Sequence, residues 1–271
     1  MSARCIWLVT LLLFASACQT PSQNTEATQT LIQVASSTAS ATPSPTPTPT
    51  STATPSATPQ PATEVEISYP PSGELIKRVE VGEAGIFALT IDDGYGKVPF
   101  DLMLDELRAR DLQATFFLVG RAALNLGSER LVQLAEDGHT IAYHSYAHDE
   151  LTLLQGWSEA DWNADFEHWR EAMRSLLGEA LFEQANRPYA RAPYGLFSTA
   201  FLAMTEAQNL VPVGWSSDPG DLNREIALKP GDIFLLHVRF PDAELLPEIL
   251  DGLDLAPVRL DELFAAQIGA D

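Results

Sequence analysis

Cysteine is nearly absent: the chain has only Cys5 and Cys18, and both fall in the first eighteen residues. No internal disulfide can brace the rest of the chain, and no thiolate can act there as nucleophile or metal ligand. Stability must come from an apolar core, with or without a bound cation. Positive charge is also scarce. Sixteen Lys and Arg face 37 Asp and Glu, a net charge of −21. That balance argues against nucleic acid and strongly anionic polymers as partners. It suits a neutral or cationic substrate, although a generally acidic proteome would give the same balance. A long hydrophobic run is missing too. Ile6 to Phe14 is the apolar stretch near the start, well short of the ~20 residues that a spanning helix needs.

That stretch reads instead as an export signal over Met1 to Ala17, with Arg4 as its positive start and Ala15-Ser16-Ala17 as small residues before Cys18. Small residues directly before a cysteine resemble a lipobox, in which Cys18 is lipidated and becomes the mature N-terminus. Ala15 stands where Leu is usual, and an ordinary secretory signal is the alternative. From Gln19 to Thr63 charge all but disappears, Glu26 being the exception, and Thr, Pro, Ser and Ala dominate. The stretch Thr42 to Thr54 begins by alternating Pro with Ser or Thr. Such a segment cannot bury enough apolar surface to fold. In polyproline II form ~45 residues reach up to ~140 Å at ~3.1 Å each. The expectation is a disordered stalk, residues 18–63, that holds a single domain, residues 64–271, away from a membrane.

Within that domain short apolar runs alternate with helical patterns. Strands are expected at Ile86–Ile91, Ala114–Val119, Thr140–Tyr143, Val211–Trp215 and Ile233–Leu236. Helices are expected at Val98–Arg110, Glu129–Glu136, Trp157–Leu177, with Ser158 as N-cap and Asp161 three residues on, and Ser198–Gln208. The alternation predicts a parallel α/β architecture, and by itself leaves barrel and open sheet as alternatives. Asp92-Asp93, His144, Asp218 and His237 all fall just past the ends of expected strands, the end of an α/β barrel that carries chemistry.

His144 and His148 are four apart, a spacing that on a helical turn projects both imidazoles from one face. Asp93 is the natural third ligand for a catalytic zinc, with Co²⁺ or Ni²⁺ also accommodated. His139, before its strand, is expected to point elsewhere, and His168, between Trp162 and Trp169, to be structural or exposed. Two adjacent carboxylates permit a division of labour: Asp93 to the metal, Asp92 as base. The plainer alternative for Asp92 is a turn cap. Arg191 can pair with Asp92 through its planar guanidinium, or be a surface arginine. His237 is the candidate acid, kept protonated by Asp221 or Asp218.

Five ordered pieces now stand together: Thr90-Ile91-Asp92-Asp93-Gly94, His144 to His148, Arg191-Ala192-Pro193-Tyr194-Gly195, Asp218 to Asp221, and Leu235-Leu236-His237. In this order they resemble the motifs of polysaccharide deacetylases of the NodB-homology class, carbohydrate esterase family four, over about Ile86 to Leu263. Leu222 replaces a tryptophan of the fourth motif, and Val238 stands where Asp is frequent. The resemblance implies a distorted (β/α) barrel and a divalent metal, usually zinc, held by Asp93, His144 and His148. It further implies Asp92 as base, oriented by Arg191, and His237 as acid, supported by Asp221. The backbone N–H of Tyr194 would help hold the oxyanion. The expected activity is release of acetate from N-acetyl groups of a glycan such as peptidoglycan, a chitin-like oligomer or an exopolysaccharide, by a monomer anchored through Cys18. The alternatives are an O-acetyl esterase or non-sugar amidase on the same fold, and a non-catalytic surface glycan binder. The Leu222 departure bears on substrate choice and not on the chemistry.

Overall fold

The structure is a computed structural model that describes residues 69–220 and 226–267. The expected signal, Cys18, the stalk, and Asp221 with Leu222 lie outside the described residues. Strand β1 (Ile86–Asp93) leads to α1 (Lys97–Ala109), β2 (Thr115–Leu118), α2 (Gly120–Leu126), α3 (Ser128–Glu136) and β3 (Thr140–Tyr143). Then come the short α4 (Leu151–Leu154), the long α5 (Glu159–Leu177), α6 (Glu179–Ala185) and β4 (Asn186–Ala190). After α7 (Thr199–Ala207) come β5 (Val211–Pro212), β6 (Ile233–His237), α8 (Phe240–Gly252), β7 (Ala256–Val258) and α9 (Leu260–Ala265).

Every named strand pairing is parallel, in the order β5-β4-β3-β2-β1-β6, with β7 on the start of β1. The curled sheet is strapped at its gap. Ile76 bridges Val213, Arg78 bridges Asp232 beside β6, and Ser217 bridges Phe234. Gly231 is required at this strap: a Cβ there would lie 1.8 Å from the Val79 carbonyl oxygen, and its φ is +82°. This is the distorted barrel that alternation alone could not choose over an open sheet.

Strand periodicity sorts the side chains. Ala88, Phe117, Ala142, Tyr189 and Ile233 face one way and, with Leu260 and Phe264 of α9, form the inner core. Phe87, Leu89, Ile91, Phe116 and Ile141 face the helices and form the larger outer core. Continuing the inner set toward the strand ends gives Thr90 and Asp92, then His144, Arg191, Leu235 and His237. The polar site is therefore the top layer of the barrel interior, at the C-terminal ends of the strands.

The expected β1, β2, β3, β6, α1, α3, α5 and α7 are present within two residues or so of each predicted end. In α5 the Ser158 side chain accepts from the Asp161 N–H, and Asp161 answers at the Ser158 N–H. Regular β5 stops at Pro212, short of the expected Trp215: the Val213 N–H still donates to the Ala190 carbonyl of β4, but the Gly214 N–H turns to the Ile76 carbonyl of the strap. Helices α2, α4, α6, α8 and α9 and strands β4 and β7 were not anticipated. Strand β4, Asn-Arg-Pro-Tyr-Ala, has neither alternation nor an apolar run to announce it.

Candidate active site

His144 and His148 do not sit on a helical turn, contrary to expectation. Residues 144–148 form an irregular loop after β3, with Ser145 at φ 64° and His148 at φ 50°. The loop still brings the rings together, 5.2 Å between centroids. It is held from two sides. The Ser145 hydroxyl accepts the His148 N–H at 2.7 Å. Asp165, buried on α5, accepts the Tyr143 hydroxyl at 2.5 Å and the Tyr146 N–H at 2.7 Å. Asp165 escaped the sequence reading; its one signal was a carboxylate on the apolar face of α5, between Trp162 and Trp169.

Asp93 reaches the same spot by breaking strand alternation. In a regular strand Asp92 and Asp93 would point to opposite faces. Asp93 has φ 79°, a left-handed conformation that costs a non-glycine residue on the order of 1–3 kcal/mol. Its Oδ1 comes 3.5 Å from His144 Nε2 and 3.6 Å from His148 Nε2. Among the described residues that Oδ1 is buried without a hydrogen-bond partner. Ligand atoms on a tetrahedral zinc with bonds of ~2.0–2.1 Å stand about 3.3 Å apart, so the cluster fits a cation. His144 is oriented for it, since Nδ1 lies 2.8 Å from the Arg191 carbonyl. A carbonyl can only accept, so Nδ1 carries the proton and Nε2 offers its lone pair. Burial would raise the Asp93 carboxyl, but the neighbouring His144, His237 and His148 imidazoles hold it below the usual range. Burial would lower His144, but Asp92 and Asp93 raise it. Burial and the neighbouring His144 lower His148.

Asp92, also buried, is clamped by fully buried Arg191. NH1 donates to Asp92 Oδ1 at 2.7 Å and to the Thr90 hydroxyl at 3.0 Å, while Nε and NH2 donate to the Val213 and Gly214 carbonyls. The guanidinium also lies over the Phe117 ring at 4.1 Å. The second oxygen of Asp92, Oδ2, stays 3.6 Å from His144 Nε2. One oxygen is thus fixed and the other faces the cluster.

The pocket above, about 420 Å³, is lined by Asp92, Asp93, Tyr194, Trp215, His237 and Arg239 among others. Gly195, φ 68°, leaves room for Trp215, whose ring carbon would be 2.9 Å from an added Cβ. Tyr194 has φ 58° and an exposed side chain, with its ring 4.6 Å from that of His148. His139 points away as expected, its Nδ1 accepting the Ala114 N–H at 3.0 Å. His168 is exposed on α5.

Asp218 does not support His237. Its carboxylate accepts the Trp215 indole N–H at 3.1 Å and the Gly220 N–H at 2.7 Å, which turns it into the loop. Among the described residues, the carboxylate beside His237 is Asp242 on α8, Oδ2 lying 3.6 Å from Nδ1. The sequence reading missed it because it had no α8. The available signal was an acid three residues after Arg239, with Pro241 between them, a helix-start pattern.

Comparison with known proteins agrees with this geometry. A family model described as polysaccharide deacetylase matches residues 81–213, which include all the residues above up to Val213. The chitooligosaccharide deacetylase of Bradyrhizobium sp. (strain ANU 289) is 31% identical over 166 residues, 58% of this chain and 72% of that protein. The structure of a family 4 carbohydrate esterase from Bacillus anthracis matches with a TM-score of 0.59 and 26% identity, over 71% of this chain and 87% of that one. A CE4 family pseudoenzyme from the same organism shares the fold, with a TM-score of 0.61 and 19% identity over 71% and 69% of the two chains. With its barrel, its site layer and these relatives taken together, the chain belongs to the polysaccharide deacetylase family.

Proposed function

We propose that the chain is an exported, metal-dependent deacetylase that hydrolyses N-acetyl groups of a glycan. The observation that carries this reading is the pairing of two sites 3.6 Å apart. One is a cluster of two imidazoles and a carboxylate with a buried oxygen unpartnered among the described residues, and the other is a carboxylate clamped by a buried arginine. A divalent cation held by Asp93, His144 and His148 would polarise the acetyl carbonyl and acidify the attacking water.

Each remaining part of the reaction falls to a side chain or backbone group. Asp92 Oδ2 takes a proton from the water while Arg191 keeps Oδ1 from turning. Water oxygen bonds to the acetyl carbon, and the electron pair of the breaking C–N bond goes to nitrogen. His237 supplies the proton that nitrogen needs to leave as an amine. The Tyr194 N–H, carried over by resemblance, donates to the carbonyl oxygen as charge develops. A pocket of about 420 Å³ lies within the ~300–1,000 Å³ span of small-ligand sites, enough for one sugar unit. Exposed Tyr95 and Tyr194, either side of His148, offer ring faces to neighbouring units. The acidic chain favours a neutral polymer, and the name of the Bradyrhizobium relative points to N-acetylglucosamine oligomers.

Export through residues 1–17 and anchoring through lipidated Cys18 belong to the same reading, with the stalk as spacer. Mass spectrometry of the mature N-terminus should find a lipid-modified Cys18; an unmodified residue other than Cys18 sinks the anchor.

The deciding experiment is acetate release from N-acetylglucosamine oligomers, peptidoglycan, an N-acetylated exopolysaccharide and acetylated xylan, before and after chelation and with metal restored. Amide-linked acetate should be released, lost on chelation, and recovered with Zn²⁺, Co²⁺ or Ni²⁺. Release from acetylated xylan alone would make the chain an O-acetyl esterase. No release from any polymer by metal-loaded protein would make it a binder.

A further inference from the structure

His237 ends β6 with about a third of its side chain exposed to the pocket, yet its Nδ1 is buried and, among the described residues, has no hydrogen-bond partner. The atom that Nδ1 faces is Asp242 Oδ2, 3.6 Å away. Asp242 has no accessible surface. Its two oxygens are fixed from different directions. Oδ2 accepts the His237 backbone N–H at 2.7 Å, and Oδ1 accepts Arg239 Nε at 2.8 Å. The carboxylate therefore cannot swing away from the ring, and a small rotation of the imidazole closes the gap to a hydrogen bond. Burial would raise the Asp242 carboxyl, but the contacts with His237 and Arg239 outweigh it and keep it ionised below the usual range. A bare Nδ1 lone pair facing this anion would be repelled; an Nδ1–H would be attracted.

We propose that Asp242 is the carboxylate that keeps the proton on His237 Nδ1 and so commits Nε2 to exchanging a proton with the leaving nitrogen. Asp242 is a positioning residue, acting through His237. The inference rests on the reading of His237 as acid. In the step itself the imidazolium gives its Nε2 proton to nitrogen as the C–N bond breaks. The ring is left neutral with Nδ1–H in place, and Asp242 stays an anion throughout.

The test uses the full chain loaded with Zn²⁺. Asp242→Asn preserves size and an acceptor for the His237 N–H. It should lower turnover of N-acetylglucosamine oligomers about 10–100-fold, the scale on which losing the hydrogen-bond partner of a metal-ligating histidine lowers activity. Hydrolysis of p-nitrophenyl acetate, whose leaving group needs no proton, should fall only a few-fold, and zinc content should stay at wild type. Asp242→Glu should restore part of the amide activity. A loss equal on both substrates would mark a structural role and overturn the proposal. Loss on the oligomer in Asp221→Asn but not in Asp242→Asn would do the same.

Nitrogen-15 NMR of histidine-labelled wild-type protein provides a readout that needs no folded variant and no substrate. His237 should be the Nδ1–H tautomer when neutral, and an Nε2–H tautomer overturns the assignment. His237→Ala keeps the two readings apart. If that variant deacetylates normally, the acid role fails whatever the tautomer.

Discussion

Asp92 and His237 occupy facing positions on neighbouring parallel strands, Asp92↔His237 in the β1–β6 register, and the Val238 N–H donates to the Asp92 carbonyl at 3.0 Å. Register partners on parallel strands present side chains on one face of the sheet. The proposed base and acid, 145 positions apart in sequence, are therefore delivered to the same barrel mouth by backbone pairing. A one-residue slip of β6 would turn His237 to the helical face. His237 lies beyond the residues that the family model matches, so this register is what connects it to Asp92.

The adjacent aspartates should separate by metal content and rate. Asp92→Asn should keep stoichiometric metal while turnover falls ~10²–10⁴-fold. Asp93→Ala should lose metal affinity, with partial rescue by excess metal. His237→Ala should keep the metal and lose more activity on amides than on activated esters. Metal analysis beside acetate release on the three variants decides. Metal loss in Asp92→Asn with retention in Asp93→Ala reverses the roles.

Metal affinity should fall with acid. His144 must bind through a deprotonated Nε2, and Asp92 and Asp93 raise its proton affinity above the ordinary histidine value. A proton therefore competes below that raised value, costing about tenfold in affinity per pH unit for one displaced proton. Asp93 is held low and adds no competition there. Zinc titrations from pH 8 to 5.5 should show the decline; a flat affinity would mean that His144 is not a ligand.

Arg191 should matter to stability as well as rate. Its charge is fully buried, and four of its hydrogen bonds go to Asp92, Thr90, Val213 and Gly214. Arg191→Ala leaves Asp92 as an unpaired buried carboxylate, a loss of about 3–5 kcal/mol. Urea unfolding of metal-free protein measures it. A loss below about 1 kcal/mol would place the pair among weak surface bridges.

His139 should make the fold acid-sensitive. Burial depresses its pKa to about 4, against ~6.5 in the unfolded chain. Between those values the unfolded state takes up the proton and the folded state does not. Stability is complete above ~6.5 and drains away as pH falls toward 4, by about 3 kcal/mol in all. His139→Gln, whose amide oxygen can accept the Ala114 N–H, removes this dependence. Unfolding free energies of the two proteins at pH 7.5 and 4 should converge by that amount, and parallel curves would refute the assignment.

Much of this was legible in the order of residues. Alternating apolar runs and helical periods determined a parallel α/β domain, because burial on both faces of a strand leaves a continuous apolar signature. The adjacent Asp92 and Asp93, His144 with His148, Arg191 and His237 were legible because each closes or follows a strand, where α/β folds put their chemistry. Tertiary structure alone decided how they meet. A positive φ at Asp93 and at His148, not a helical turn, aims the two side chains at each other. Backbone dihedrals of this kind are set by surrounding contacts and leave no periodicity in sequence. Asp165 and Asp242 were hidden for a related reason. Each acts on a partner through a helix packed from outside the barrel, and a buried carboxylate looks in sequence like any other acid on a helix until its burial is known. The closing strap at Ile76 and Arg78 likewise depends on non-local bridges to Val213 and Asp232. Pairing over that span is fixed by the whole sheet, which is why barrel or open sheet could not be chosen from the pattern of residues.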